Sequence, residues 1–470
     1  MKTGALLESL INLAQIQKTD LAISMNMTPS GLSKILTGKR LPFFKEKRAF
    51  SRQAAGYFAE ALFCRDCYLK LKSIFPILYD FSTKYELETF LTYAIDYTLS
   101  SDFFEENGGD RDYPDRELSF LGKTTILNMF CVTISDYFMT EPETPLEFYS
   151  SLPTIDPFYS DIFSRLKFSV AENGRRISFH HLFDTPSFEA SAGRSDTDIL
   201  SYLSKMEQYV DLTLWQAEEK VAPFFLLKDR FLLVFSNQID GWTPLMTFIT
   251  HKSYLTLFFH SLTKKNARKI SYSGDEVAKL LETDPFLITR LAGGHFDAVY
   301  NFLPIGYLSS PEEFAQMNGK EPVKKGISDL FRCAIEKSDS FFISVDSLSS
   351  FYNTGKVIVP LLGTVEIAKD LRIPYLMRYD TVIDKGALHG KVRITNNALP
   401  KMYALCAKEF SLIYLNGATR GSEKIHYFHS DIVRDILDDE VAGDSMQYVE
   451  FGHELWNSYI GGLSKGQAWI

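Results

Sequence analysis

Between Lys18 and Pro42 the apolar positions mark out two short helices set back to back. Thr19 can cap the first, which runs through Met25 with Leu21, Ala22 and Met25 on one face. Asn26 can take the left-handed conformation that ends such a helix, and Met27 then turns back into the core. Thr28 is a good N-cap for the second helix, and Pro29 suits its first position, where a missing amide hydrogen costs nothing. Leu32, Ile35 and Leu36 form its buried stripe, while Ser30, Ser33, Lys34 and Thr37 fall on the outer face and Gly38 stops it.

Helical spacing continues from Phe44 to about Lys72 through Tyr57, Phe58, Ala61, Leu62, Tyr68 and Leu69, and a second run covers Tyr85 to Leu99. A polar break from Glu105 to Asp115 reads as a loop, followed by a helix from Lys123 to Phe138. Pro142, Pro145, Pro153 and Pro157 then interrupt the chain, residues 175–197 are polar, and a helix is expected from Asp196 to Lys220. Strand-like runs come next at Phe224 to Leu227, Phe231 to Phe235, Leu245 to Thr250, Ser340 to Val345, Val357 to Leu361 and Phe410 to Leu415. They alternate with helices such as Asp275 to Glu282 and Asp431 to Asp438.

One internal echo stands out. Phe231, Leu233, Val234, Phe235 and Asn237 match Phe410, Leu412, Ile413, Tyr414 and Asn416 at a constant offset of 179 residues. The register carries on, pairing Met246 with Ile425, Phe248 with Tyr427, Leu257 with Ile436 and Phe258 with Leu437. Each copy reads strand, turn, strand, helix. The expected class is α+β: a small all-α head at 1–60, a mainly helical connector or dimerisation region at 61–220, and a mixed body at 221–470 that senses a signal or meets a partner.

Charge sharpens the division. The chain of 470 residues carries −9 overall, but residues 1–60 hold nine Lys and Arg against four acids, a net of +5, which leaves −14 for the rest. A basic head on an acidic body implies that only the head meets a polyanion. The outer face of the second helix carries short hydroxyls and one cation, of a size to lie in a major groove and reach base edges, and Lys39 and Arg40 just beyond it would meet phosphates.

This stretch resembles the Cro and phage-repressor (XRE-type) family of helix-turn-helix domains, through Leu21, Ala22, Met27, Thr28, Ser33, Ile35, Gly38, Arg40 and Pro42. The resemblance covers about 60 residues, a span in keeping with one small domain. It implies a first helix from about Leu6 to Gln15 and a recognition helix from Pro29 to Leu36. It also implies a transcriptional regulator that binds double-stranded DNA through Thr28, Pro29, Ser30, Ser33, Lys34, Thr37, Lys39 and Arg40. The turn Met25-Asn26-Met27 has no glycine, and Ser30 and Ser33 stand where many members carry Gln and Arg.

Other chemistry finds little support in the sequence. Gly122-Lys123-Thr124 lacks the preceding glycine of a phosphate-binding loop, Glu117 standing in its place. Cys64 and Cys67 have zinc-like spacing but no second pair, and read as packing. The adjacent His180 and His181, and His426 with His429, fit no metal motif, and Gly443-Asp444-Ser445 lies too near the C-terminus for an esterase nucleophile block. The expectations are therefore no catalytic residue, no metal and no cofactor, with a homodimer and an unknown small-molecule or peptide effector as partners. Five cysteines without a framework and no apolar run of spanning length place the chain in the cytoplasm, away from membranes. The alternatives are an enzyme or defence effector that uses the head for targeting, and a protein-binding scaffold.

Overall fold

The first helices form where the apolar spacing puts them, and their small residues set how closely they pack. The computed structural model describes residues 1–106, 118–140, 146–153, 159, 166–168, 177–187, 200, 202–203, 206–207, 210–237, 243–264, 267–284, 286–287, 290, 293, 295–397, 399–415, 423–429, 431–443 and 446–465. The class is α+β, and the chain divides into two compact units. One comprises Met1–Leu152, Phe158–Phe179 and Ala222–Lys265; the other comprises Pro153–Pro157, His180–Val221 and Asn266–Ile470.

In the first unit, helices α1 (Thr3–Ala14), α2 (Lys18–Ser24), α3 (Pro29–Leu36) and α4 (Lys47–Leu62) form the head. Helix α4 buries Ala54, Ala55 and Ala59 beside Phe50, Phe58 and Leu62, and these small side chains let it lie close along α5 (Lys84–Glu106). Helix α5 answers with Leu87, Phe90, Leu91, Ala94, Ile95 and Leu99. The head is thus continuous with α5 within the first unit.

Beyond α5 the unit carries β1 (Leu118–Leu121), α6 (Lys123–Thr140), β2 (Leu146–Ser150), β3 (Phe224–Leu227), β4 (Phe231–Asn237), β5 (Pro244–Ile249) and α7 (Lys252–Thr263). The strands lie in the order β2-β3-β4-β5-β1, each pair antiparallel.

The second unit contains β6 (Ser271–Ser273), α8 (Gly274–Thr283), β7 (Phe296–Asn301), α9 (Glu321–Glu336), β8 (Ser338–Ser344), β9 (Val392–Thr395), β10 (Met402–Ala407), β11 (Phe410–Leu415), β12 (Lys424–Phe428), α11 (Asp431–Ala442) and β13 (Val449–Glu450), with α10 (Arg372–Ile383) between β8 and β9. Its sheet runs β6-β12-β11-β10-β7-β8-β9-β13 and is parallel only at β7/β8 and β8/β9. Those two pairs are joined by crossovers that contain helices, as parallel neighbours require. Its core gathers Phe296, Val299, Phe341, Ile343, Leu405 and Trp456.

The internal echo is carried into the topology. In the first unit β1-α6-β2 precedes the meander β3-β4-β5 and the helix α7; in the second β6-α8-β7 precedes the meander β10-β11-β12 and the helix α11. The strand orders β2-β3-β4-β5-β1 and β7-β10-β11-β12-β6 correspond position by position. The offset of 179 even preserves pairing: Leu232 faces Ile249 as Ser411 faces Phe428, and Phe235 faces Met246 as Tyr414 faces Ile425. It starts at β4 because the turn before it, Lys228–Arg230, is one residue longer than Lys408–Glu409.

Three expectations need correction. The helix expected over Asp196 to Lys220 gives way at Asp211–Ala217 to a strand that buries Leu212 and Leu214 in alternation, a period of two that the apolar count had concealed. The polar stretch after Arg175 contains a strand, Ile177–Asp184. Beyond α6 the described residues of 61–220 are mostly strand rather than helix, with Leu146–Ser150 and Leu166–Phe168 besides the two strands just named. Residues 107–115 of the expected loop, together with Asn416, Asp444 and Ser445, lie outside the described residues.

Candidate nucleic-acid interface

Helix α3 is set by its ends. Thr28 caps it, its Oγ1 accepting from Gly31 N at 3.1 Å with Pro29 in the first turn, and Gly38 at φ +68° ends it. The bounds are those read from the sequence. Asn26 takes φ +52° and closes the turn from α2, and Met27 N donates back to Ala22 O at 2.8 Å. Thr19, by contrast, is not a cap: α2 starts at Lys18 with Gln17 before it and no side-chain cap bond. Helix α1 is Thr3–Ala14, earlier than the expected Leu6 to Gln15, and Gln15 leaves it in the left-handed conformation.

Leu32, Ile35 and Leu36 are buried, and Thr28, Pro29, Ser30, Ser33, Lys34, Thr37, Lys39 and Arg40 are all exposed. Their roles divide. The Thr28 hydroxyl oxygen serves the cap, and Thr37 Oγ1 donates to Ser33 O at 2.9 Å and Lys34 O at 3.2 Å, so both are engaged by the helix itself. Among the described residues no hydrogen bond or ion pair engages the side chains of Ser30, Ser33 and Lys34. They form the open part of the face.

The helix is held from behind by Gly4 of α1. A Cβ there would lie 2.2 Å from Leu36 O and 2.9 Å from Ile35 O, so only glycine lets α1 pass this close to the end of α3. Helix α1 is in turn fastened to α5, where the buried carboxylate of Asp102 accepts from Thr3 N at 2.9 Å and pairs with Lys2 at 3.3 Å. Glu105 hydrogen-bonds the Lys2 ammonium and raises its pKa. Lys47 of α4 pairs with Asp96 at 3.1 Å and donates to Ser100 Oγ at 2.7 Å. Helix α3 thereby rests on α1, which α5 holds in place, with α4 tied to the same helix α5.

These pairs consume some of the head's basic charge and leave the rest in place. Lys2, Lys18 and Lys47 are paired, the second with Glu8. Among the described residues no ion pair engages Lys34, Lys39, Arg40, Lys45, Arg48 or Arg52, all of them exposed. Arg48 and Arg52 were not singled out from the sequence; their i, i+4 spacing on the outer side of α4 was the available signal.

Of the other residues considered for chemistry, His429 is exposed, whereas His426, His181 and Cys67 are enclosed. His426 is buried, with Nδ1 2.8 Å from Ser271 Oγ and Nε2 2.6 Å from Glu207 Oε1. The three types are those of a charge relay, but Ser271 is itself buried and its Oγ accepts from Leu214 N at 2.8 Å, so the cluster ties strands together. Burial pushes His181 down to about 3 and keeps it neutral, with Tyr202 Oη 3.0 Å from its Nδ1. Burial likewise pushes the Cys67 thiol up, away from the thiolate a metal would need. Among the described residues no group of His, Cys, Asp and Glu is placed to hold a metal ion, and no helix is long and apolar enough to cross a membrane.

Set against known proteins, the chain matches no family model and no curated protein. Among solved structures it is similar to TrmBL2, described as an archaeal chromatin protein with a novel mode of DNA binding. The identity is 9% and the TM-score 0.21, over 45% of this chain and 82% of that one. A likeness at this level carries no argument about what this chain does.

Proposed function

We propose that this chain is a DNA-binding transcriptional regulator of the XRE type, which reads duplex DNA through α3 and acts by binding rather than by turnover. One observation carries the reading: a capped helix whose apolar side is buried presents Ser30, Ser33 and Lys34 outward and unengaged, and runs directly into exposed Lys39 and Arg40. Short polar side chains suit base edges in the major groove, and flexible cations at the helix end suit phosphates. A head of modest charge binds one half-site weakly, so the acidic body joins two heads as a homodimer and answers an effector by shifting the competent population.

The test separates phosphate contacts from base contacts. In the full chain, replacing Lys39 and Arg40 together by Ala should weaken binding to all duplexes alike and flatten the log-log salt dependence by roughly one to two units. Binding isotherms over a salt series measure this. A wild-type chain that binds no duplex at any salt overturns the reading, and an unchanged slope overturns the assignment of these two residues.

A further inference from the structure

Phe43 is 66% exposed, a large apolar ring left in water beside the recognition helix. Phe44, next to it, is 64% exposed but packs edge-on against Phe103 at 5.3 Å between centroids, so it is held by α5. Among the described residues Phe43 has no such ring partner. It is instead covered by a cation, the Arg40 guanidinium standing 5.6 Å from its centroid.

The surroundings decide what kind of surface this is. Between residues 39 and 48 the chain carries Lys39, Arg40, Lys45, Lys47 and Arg48 against the single carboxylate of Glu46. Among the described residues only Lys47 of these cations is engaged by an ion pair. An isolated apolar ring set among unengaged cations is complementary to a polyanion that also offers apolar surface. The site is continuous with α3: Lys39 N and Arg40 N both donate to Lys34 O, at 2.8 and 3.3 Å, which folds the chain back against the recognition helix. Duplex DNA meets this requirement, since deoxyribose faces and base edges lie between its phosphates.

We infer that Phe43 is a second DNA-contact element, an apolar finger that seats on the sugar and base edges beside the segment read by α3, with Arg40 on the adjoining phosphate. This rests on the proposed DNA-binding role. It predicts a signature that charge alone cannot give. Removing an apolar contact lowers affinity without releasing counterions, so the salt slope stays as it was.

The experiment uses the full chain and a mixed-sequence duplex oligonucleotide, comparing wild type, Phe43→Ala and Phe43→Leu over a salt series, with thermal unfolding and sedimentation alongside. Phe43→Ala should lose affinity by about tenfold, as the loss of one buried aromatic contact allows. Its salt slope, unfolding and mass should not change, and Phe43→Leu should recover part of the loss. Affinity equal to wild type in Phe43→Ala overturns the inference while leaving the DNA-binding reading intact. A change in sedimentation in that variant also overturns it, because the ring then belongs to a contact between copies. Absence of duplex binding by the wild type overturns both.

Discussion

Helices α7 and α11 occupy corresponding places in the two units, twelve residues each at an offset of 179, but they bury different faces. Helix α11 buries Val433, Ile436, Leu437 and Val441. The corresponding residues of α7 are Tyr254, 47% exposed, Leu257, 69% exposed, and the half-buried Phe258 and Leu262. Helix α7 turns inward Leu255, Phe258, Phe259 and Leu262, a stripe displaced by one residue, about 100° around the axis. Phe258 meets Phe224 at 5.0 Å and Phe259 meets Tyr149 at 5.2 Å between centroids. The sequences explain the freedom: α11 has a narrow apolar stripe, with Arg434 where α7 has Leu255, whereas α7 is apolar over a wider arc and can turn either edge inward.

The largest expected effect tests whether α11 is the more deeply packed. Leu437→Ala should cost about 2 to 5 kcal/mol of stability, because it empties a site with no exposure. Denaturant unfolding of the full chain reads this as an earlier transition, and a loss below about 1 kcal/mol would mean that the helix sits loosely on its sheet. The corresponding Phe258→Ala should cost about 2 kcal/mol, less than a fully buried Phe, since the side chain is only partly covered. Equal losses at 258 and 437 would erase the difference between the units. The smallest effect belongs to Leu257→Ser, which should alter stability by no more than about 0.5 kcal/mol, while its counterpart Ile436→Ser should unfold at visibly lower denaturant. A large loss at Leu257, measured the same way, would place the buried stripe of α7 on the same side as that of α11.

The same contrast separates what could be read in advance. The bounds of α3 and its cap at Thr28 were legible because they depend on contacts within a few residues: a hydroxyl and an amide three apart, a proline at the first turn, a left-handed Gly38. The echo at 179 was legible because β4, β5 and α7 keep the spacing of β11, β12 and α11. The strand Asp211–Ala217 was not, because Leu212, Leu214 and Gln216 fit a strand only once a neighbour lies beside them. Of the eight residues expected to contact DNA, the helix's own turns engage the hydroxyls of Thr28 and Thr37, while among the described residues no hydrogen bond or ion pair engages the side chains of Ser30, Ser33, Lys34 and Lys39.

By itself the sequence determined the local elements and the sign of the head's charge, because capping, helical period and ionisation act over a turn or less. The tertiary structure decided what those elements lean on. Gly4 against Leu36, the buried Asp102 beneath Thr3 and the Ala-lined approach of α4 to α5 join residues tens of positions apart, and no periodic signal marks such pairs in advance. It also decided which edge of the wide apolar arc of α7 turned inward, since two adjacent stripes of similar hydrophobicity are separated only by the shape of the sheet that receives them.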